Sequence, residues 1–447
     1  MADERRMVQL DQLYEFSSGL SKPRSEFGEG YPFLSFKDVF YNTFVPKTLS
    51  ELVKSSESER QSLSIKRGDV FLTRTSETMG ELGMSCVALA DIPNATFNGF
   101  TKRLRPQSQK IVLPEYAGYF FRSPGFRSDV TAMSTLSTRA SLNNEMLARL
   151  SIAIPPLDEQ AAIGRILKAF DDKIELNRRM NETLEAMARA LFKSWFVDFD
   201  PIRAKAKGRD LGLPQPLADL FPDAFQNSEV GDIPRGWRVS TLGDQFEAVK
   251  GVSYKGSGLS DQGTPLHNLN SVYEGGGYKY EGIKYYNGEY SERHLVKPGD
   301  VIVANTEQGH DRLLIGYAAI VPRLFGDTGI TSHHIYRLRP KPGGELTAAF
   351  LCHLLNSPEM HDLISGYANG TTVNMLPLDG VQQPKITVPP RRLVKEFDEL
   401  AKKIEARREE TIIESGTLGS LRDTLLPKLI SGELRVKDAE KRVEALV

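Results

Sequence analysis

From Ile163 onward, key positions recur at alternating steps of four and three: Ile163, Leu167, Phe170, Ile174, Asn177, Asn181, Leu184, Ala188, Leu191 and Trp195. That spacing is the seam of a coiled coil. Asn177 and Asn181 interrupt its apolar character, as interior amides do when they fix register at some cost in stability. At about 1.5 Å per residue, a helix over 160–195 would be a rod of roughly 54 Å. A lone rod cannot bury such a stripe, so a partner helix is expected within the chain. Phe397, Leu400, Ile404, Thr411, Leu418, Leu421 and Leu425 supply a looser version of the seam. Gly416 and Gly419 weaken this second helix by about 1 kcal/mol each relative to alanine. A Pro-Pro pair precedes each helix, at 155–156 and 389–390, and Asp158 stands where an N-cap or first-turn acid belongs.

Shorter strand-like runs fill the remainder, at 31–36, 69–74, 85–90 and 151–154 in the first half. The second half restates the first. Ile65-Lys66-Arg67-Gly68-Asp69-Val70 returns as Val296-Lys297-Pro298-Gly299-Asp300-Val301, an offset of 299 − 68 = 231. Pro155 returns as Pro389, at 389 − 155 = 234, and Leu191-Phe192 as Leu425-Leu426 at the same offset. The expected fold class is therefore mixed α/β (α+β), with two pseudo-symmetric globular units separated by an antiparallel two-helix coiled coil. The expected layout is a first recognition unit over 1–153, a helix over 154–197 and a connector over 198–235. A second unit over 236–388, a second helix over 389–430 and a tail over 431–447 complete it. A fold duplicated within one chain offers two equivalent surfaces, which suits a two-fold-symmetric target such as double-stranded DNA.

Composition narrows the function by exclusion. A chain of 447 residues exceeds one core, and 40% hydrophobic with 26% charged residues is ordinary for a globular protein. The N-terminus has no secretory pattern and no apolar run reaches membrane-spanning length, so a cytoplasmic protein with no membrane partner is expected. Cys86 and Cys352 stand in unrelated contexts and support neither a disulfide framework nor a zinc site. No phosphate-binding loop, serine nucleophile elbow or Asn-Pro-Pro-aromatic tetrad occurs. The pairs His333-His334 and His353/His361 lack metal-ligand geometry. No cofactor, metal or catalytic residue is expected in this chain.

Candidate DNA contacts are local, because the net charge is only −1. Between Asn98 and Arg139 lie Lys102, Arg103, Arg105, Lys110, Arg122, Arg127 and Arg139 against Glu115 and Asp129, seven positive minus two negative, or +5. Arg74, Thr75, Lys102, Arg103, Arg105, Ser137, Thr138 and Arg139 are the candidates of the first copy, with a solvated charged face as the competing reading. The second copy is richer in amides: Asn268, Asn305, Arg337, Asn369, Thr371, Thr372 and Asn374 are its candidates. Arginine pairs guanine bidentately and asparagine pairs adenine. Ser137-Thr138-Arg139 and Thr371-Thr372-Val373 occupy matching places before each Pro-Pro helix and rank first for base contact, an ordinary turn being the alternative.

Three further stretches carry a family likeness: Pro155-Pro156-Leu157-Asp158-Glu159-Gln160, Asp171-Asp172-Lys173-Ile174-Glu175-Leu176-Asn177, and Leu191-Phe192-Lys193-Ser194-Trp195-Phe196-Val197-Asp198-Phe199-Asp200-Pro201. With Gly231-Asp232-Ile233-Pro234-Arg235-Gly236-Trp237, the chain resembles the specificity subunit of type I restriction–modification systems along its whole length. The resemblance implies two target recognition domains, each reading one half of a bipartite DNA site with an unspecified gap. It also implies helices that dock two methyltransferase (M) subunits and, through them, restriction/translocase (R) subunits. S-adenosylmethionine, ATP and Mg would belong to those partners. Specificity subunits of methylation-only, type IIB-like or phage-exclusion systems share the expected fold, and a coiled-coil scaffold without a DNA role is the alternative of another class.

Overall fold

The computed structural model describes residues 5–75, 81–108, 110–134, 141–308, 311–370 and 373–444. The chain forms two compact units, Met1–Leu176 with Glu414–Val447, and Asn177–Ile413.

In the first unit a four-stranded antiparallel sheet has the order Tyr14–Ser18, Thr101–Pro106, Val70–Thr73, Ser85–Val87. In the second unit the order is Phe246–Lys250, Ile335–Pro340, Val301–Ala304, Ala318–Ile320. The register repeats with the order: Val70 pairs with Leu104 and Val301 with Leu338. Every residue of Val70–Thr73 and of Val301–Ala304 is buried, as unbroken apolar runs packed on both faces require. Each unit adds a second sheet containing one parallel pair, Phe27–Leu34 with Thr96–Phe97 and Thr264–His267 with Gly329–Thr331. The second of these sheets has five strands and the first only three. The shared four-stranded scaffold is thus accompanied by a second sheet of different size in each unit.

The repeated Lys-x-Gly-Asp turn explains why the central strands start where they do. Gly68 and Gly299 have φ of +89° and +90°, a conformation that side chains with a Cβ rarely adopt. The turn points the next carboxylate inward. Asp69 is fully buried; it accepts the Lys66 amide at 2.8 Å and, from Arg105, Nε at 2.8 Å and Nη2 at 2.6 Å. Asp300 repeats this with the Lys297 amide and both Nε and Nη2 of Arg339. A buried, bidentate ion pair of this kind costs about 3–5 kcal/mol if one partner is removed.

The two long helices are Leu157–Phe192 and Arg391–Ser431. Gln160, fully buried, locks the start of the first: it accepts the Leu113 amide and donates to the carbonyls of Ile111 and Pro155. Within the first unit, Ile163, Leu167 and Phe170 share a core with Leu418 and Leu425, and Ile174 packs on its rim. Asp171 pairs there with Arg422 at 2.5 Å. Within the second unit, the Thr411 hydroxyl donates to Asn181 Oδ1 at 2.6 Å, Glu185 pairs with Arg408 at 3.1 Å, and Phe192 meets Phe397 edge-on at 5.4 Å. Rising numbers on one helix meet falling numbers on the other, so the helices pair antiparallel in both units. Asn177 is buried, while Leu184, Leu191 and Ile404 are half-buried.

The expected seam needs two corrections. Leu400 is 37% exposed, and the interior place belongs to Ala401. Both Phe397-Leu400-Ile404 and Phe397-Ala401-Ile404 alternate steps of three and four, so the spacing allows either residue and the packing selects Ala401. At the end of the first helix, a π-turn over Lys193–Val197 inserts an extra residue. That insertion turns Phe192, Trp195 and Phe196 all inward, against Phe350 and Phe397.

Past this turn Ile202 and Phe221 are buried in the core of the second unit. In the first unit Ala439 of the terminal helix Val436–Glu444 is fully buried. No helix among the described residues is long and apolar enough to cross a membrane.

Candidate nucleic-acid interface

Strand alternation decides which basic residues reach the surface. Arg103 is paired with Phe71, and its guanidinium lies 5.3 Å from the ring of Phe97 in the neighbouring sheet. Its Nη1 donates to the Ser64 carbonyl at 2.7 Å, and the residue is 7% exposed. Arg337, at the equivalent place (337 − 103 = 234), donates from Nη1 to the Leu295 carbonyl at 2.6 Å and is equally buried. Burial lowers the pKa of both guanidiniums, and Arg105 and Arg339 beside them add to the effect. Arg103, Arg105 and Arg337, expected to touch DNA, are therefore corrected. They fasten the segment leading into the Lys-x-Gly-Asp turn, or the Asp of that turn, from inside.

Two amides are corrected for a similar reason. Asn268 caps the short turn Leu269–Ser271 through Oδ1, and its Nδ2 donates to the carbonyls of Leu266 and Gly282. Asn305 is 1% exposed and donates to the His333 carbonyl at 3.2 Å. Both side chains hold backbone in place and present nothing outward.

The other candidates gather at one end of each four-stranded sheet. In the first unit Thr75 bridges Ser141, and the Leu142 amide donates to the Arg74 carbonyl. Lys102 Nζ donates to Ser18 Oγ at 2.9 Å and Asn144 Oδ1 at 2.8 Å, while Arg74 Nη1 lies 3.3 Å from the same hydroxyl. The second unit builds a longer ribbon in the same place, Thr306–Gln308 against Val373–Met375. There the Leu376 amide donates to the Asn305 carbonyl, matching Leu142 and Arg74 at 376 − 142 = 234. Asn374 is half-buried in this ribbon beside exposed Val373 and Met375, and Asn369 bridges Met375. Ser137, Thr138, Arg139, Thr371 and Thr372 lie outside the described residues.

Sequence reasoning missed Ser18, Ser141 and Asn144 in the first unit and Lys250, His334 and Glu307 in the second. Glu307 accepts the backbone amides of Leu313, Leu314 and Ile315, and the Thr306 hydroxyl lies 2.8 Å from His334 Nδ1. Only the offset of 250 − 18 = 232 could have flagged the first pair of positions.

All seven histidines fall between His267 and His361, hence in the second unit. Burial pushes His267 down to about 4, where its Nδ1 lies 2.8 Å from the Tyr278 hydroxyl. His353, between the rings of Phe192 and Phe397, is also pushed down to about 4 by burial, then by Arg189 and Arg408. A folded value below the unfolded one means that the unfolded chain takes up the proton first. This stability is present above about pH 6.5 and is lost as the pH falls towards 4. His267 alone should cost the second unit about 2 kcal/mol between about pH 7 and pH 5. Calorimetry should show one transition moving down over that range, and His267→Gln should reduce the shift while His353 keeps its own share.

The molecule is thus a duplicated module: one scaffold used twice, with different side chains on matching sheet ends and a helix pair shared between the two copies. The family model for the type I restriction modification DNA specificity domain matches twice, over residues 3–186 and 234–412, and the chain belongs to that family. It is 23% identical to the type I restriction enzyme MjaIX specificity subunit of Methanocaldococcus jannaschii, over 98% of this chain and 94% of that one. It is 25% identical to the HindI specificity subunit of Haemophilus influenzae, over 94% and 98% respectively. The crystal structure of a type I restriction–modification S subunit from M. genitalium superposes over 96% of both chains with a TM-score of 0.55 at 14% identity.

Proposed function

We infer that this chain is the non-catalytic DNA sequence-specificity subunit of a type I restriction–modification complex. It reads a bipartite site, one half-site for each globular unit, with the recognition segments over 1–153 and 236–388. The observation that carries this reading is the pair of matching sheet ends, where register and backbone contacts repeat while the side chains do not. Thr75 bridges Ser141 in the first unit where Thr306 pairs with Met375 in the second. Repeated geometry with altered donors and acceptors is what reading two different sequences needs. The long helices dock the methyltransferase subunits, two of them for a two-fold module, and through these the restriction subunits. S-adenosylmethionine, ATP and Mg act in those partners.

The test is to express the chain with the methyltransferase subunit encoded beside it and map methylated positions across a host genome. The expected result is one bipartite motif with a fixed gap that disappears when this chain is omitted. Methylation without sequence preference, or within one uninterrupted motif, would overturn the reading.

A further inference from the structure

Lys102 is 8% exposed, yet no carboxylate among the described residues pairs with it. Buried ammonium groups ordinarily have a counter-charge. Instead its two partners are the neutral oxygens of Ser18 and Asn144, and its charged neighbour is a second cation, Arg74. Arg74 Nε is buried with no hydrogen-bond partner, and its Nη1 shares the Ser18 hydroxyl. An ammonium has three N–H donors, and two are used here. The open valences of the corner are therefore donors: the third N–H of Lys102, Nε of Arg74, and the hydroxyl hydrogen of Ser18.

The second unit shows that the scaffold does not require this charge. The matching positions hold Lys250, Tyr336 and Asn305. The Tyr336 hydroxyl donates to the Leu376 carbonyl at 2.9 Å, Asn305 donates to His333, and Lys250 is exposed. The buried place is thus neutral, and the atom it leaves without a hydrogen-bond partner is an acceptor, Asn305 Oδ1. In the first unit the place is cationic and, among the described residues, lacks an acceptor of opposite charge.

We propose that Ser18, Arg74 and Lys102 form a clamp for one phosphodiester group of the DNA backbone, a contact made by the first unit and absent from the second. This rests on the specificity-subunit reading and deepens it. A guanine edge would satisfy the donors but leave both cations uncompensated, whereas a phosphate oxygen supplies acceptor and charge together. The clamp fixes where the first unit sits on the duplex and carries no sequence information.

The test uses the full chain assembled with its methyltransferase subunit. Binding is measured against salt for two duplexes, one with the mapped site and one without. Lys102→Met should weaken both by the same factor, roughly three- to tenfold at physiological salt, and reduce the log–log salt slope by about 1. The methylated motif should not change, and Lys102→Arg should restore the slope. Neutral methylphosphonates placed one at a time along the site should reveal a single position that weakens the wild type and leaves Lys102→Met unaffected. Thermal melting identifies a variant that has lost its fold, in which case Arg74→Gln carries the same comparison. Loss confined to the specific duplex, an altered motif, or an unchanged slope would overturn the clamp. A wild-type complex that fails to distinguish the duplexes would overturn the specificity reading instead, while the methylphosphonate series still judges the clamp.

Discussion

Exchanging residues 1–153 for the matching segment of another family member will change one half of the recognised sequence and leave the other half as it was. The two units have separate interiors. Val70, Leu72 and Leu104 pack with Ile163, Leu167 and Leu425 in the first, whereas Val301, Val303 and Leu338 pack with Phe350 and Phe397 in the second. The sheet ends that would meet DNA are likewise built within each unit. The graft must preserve the fit against the first helix, where a Cβ added to Gly164 would lie 3.2 Å from that of Glu115. A mismatched base pair costs about 1–3 kcal/mol, so replacing a half-site of several base pairs should shift preference by a factor of 100 or more. Methylation mapping of the hybrid reads the outcome. A motif altered on both sides would show that the units do not read independently.

The parts of this architecture that depend on periodicity were legible in the sequence. Alternating steps of four and three placed Ile163, Leu167 and Phe170 on one face, and an offset near 233 aligned the two copies. Side-chain direction was harder to read. The sequence showed Lys102, Arg103 and Arg105 as one basic cluster, but neighbouring residues of a strand face opposite ways. Arg105 finds Asp69 only after two strands have paired, and that partner lies 36 residues away. Arg337 likewise turned inward with its copy of the fold. Asn268 counts as a reader by residue type, yet its amide is spent on a local turn, which asparagine does readily. The π-turn at Lys193–Val197 was equally hidden, because one extra residue rotates Phe192 and Phe196 inward without changing the composition of the seam.

Adding four residues to each long helix, beside Asn181 in the first and beside Thr411 in the second, should widen the gap between half-sites without changing either half. Both helices run unbroken through the residues at which the two units divide, 176–177 and 413–414. Four residues lengthen a helix by about 6 Å, against about 3.4 Å per base step, so the gap should grow by about one or two base pairs. The additions must face each other. An insertion in one helix alone would slide Asn181 past Thr411 and Glu185 past Arg408, breaking a buried polar contact and an ion pair together. Buried polar contacts of this type fix register, so the single insertion should abolish methylation at the mapped sites while the paired insertion keeps it. Mapping both variants separates a spacer from a mere tether. A flexible tether would tolerate the single insertion and leave the gap unchanged in both.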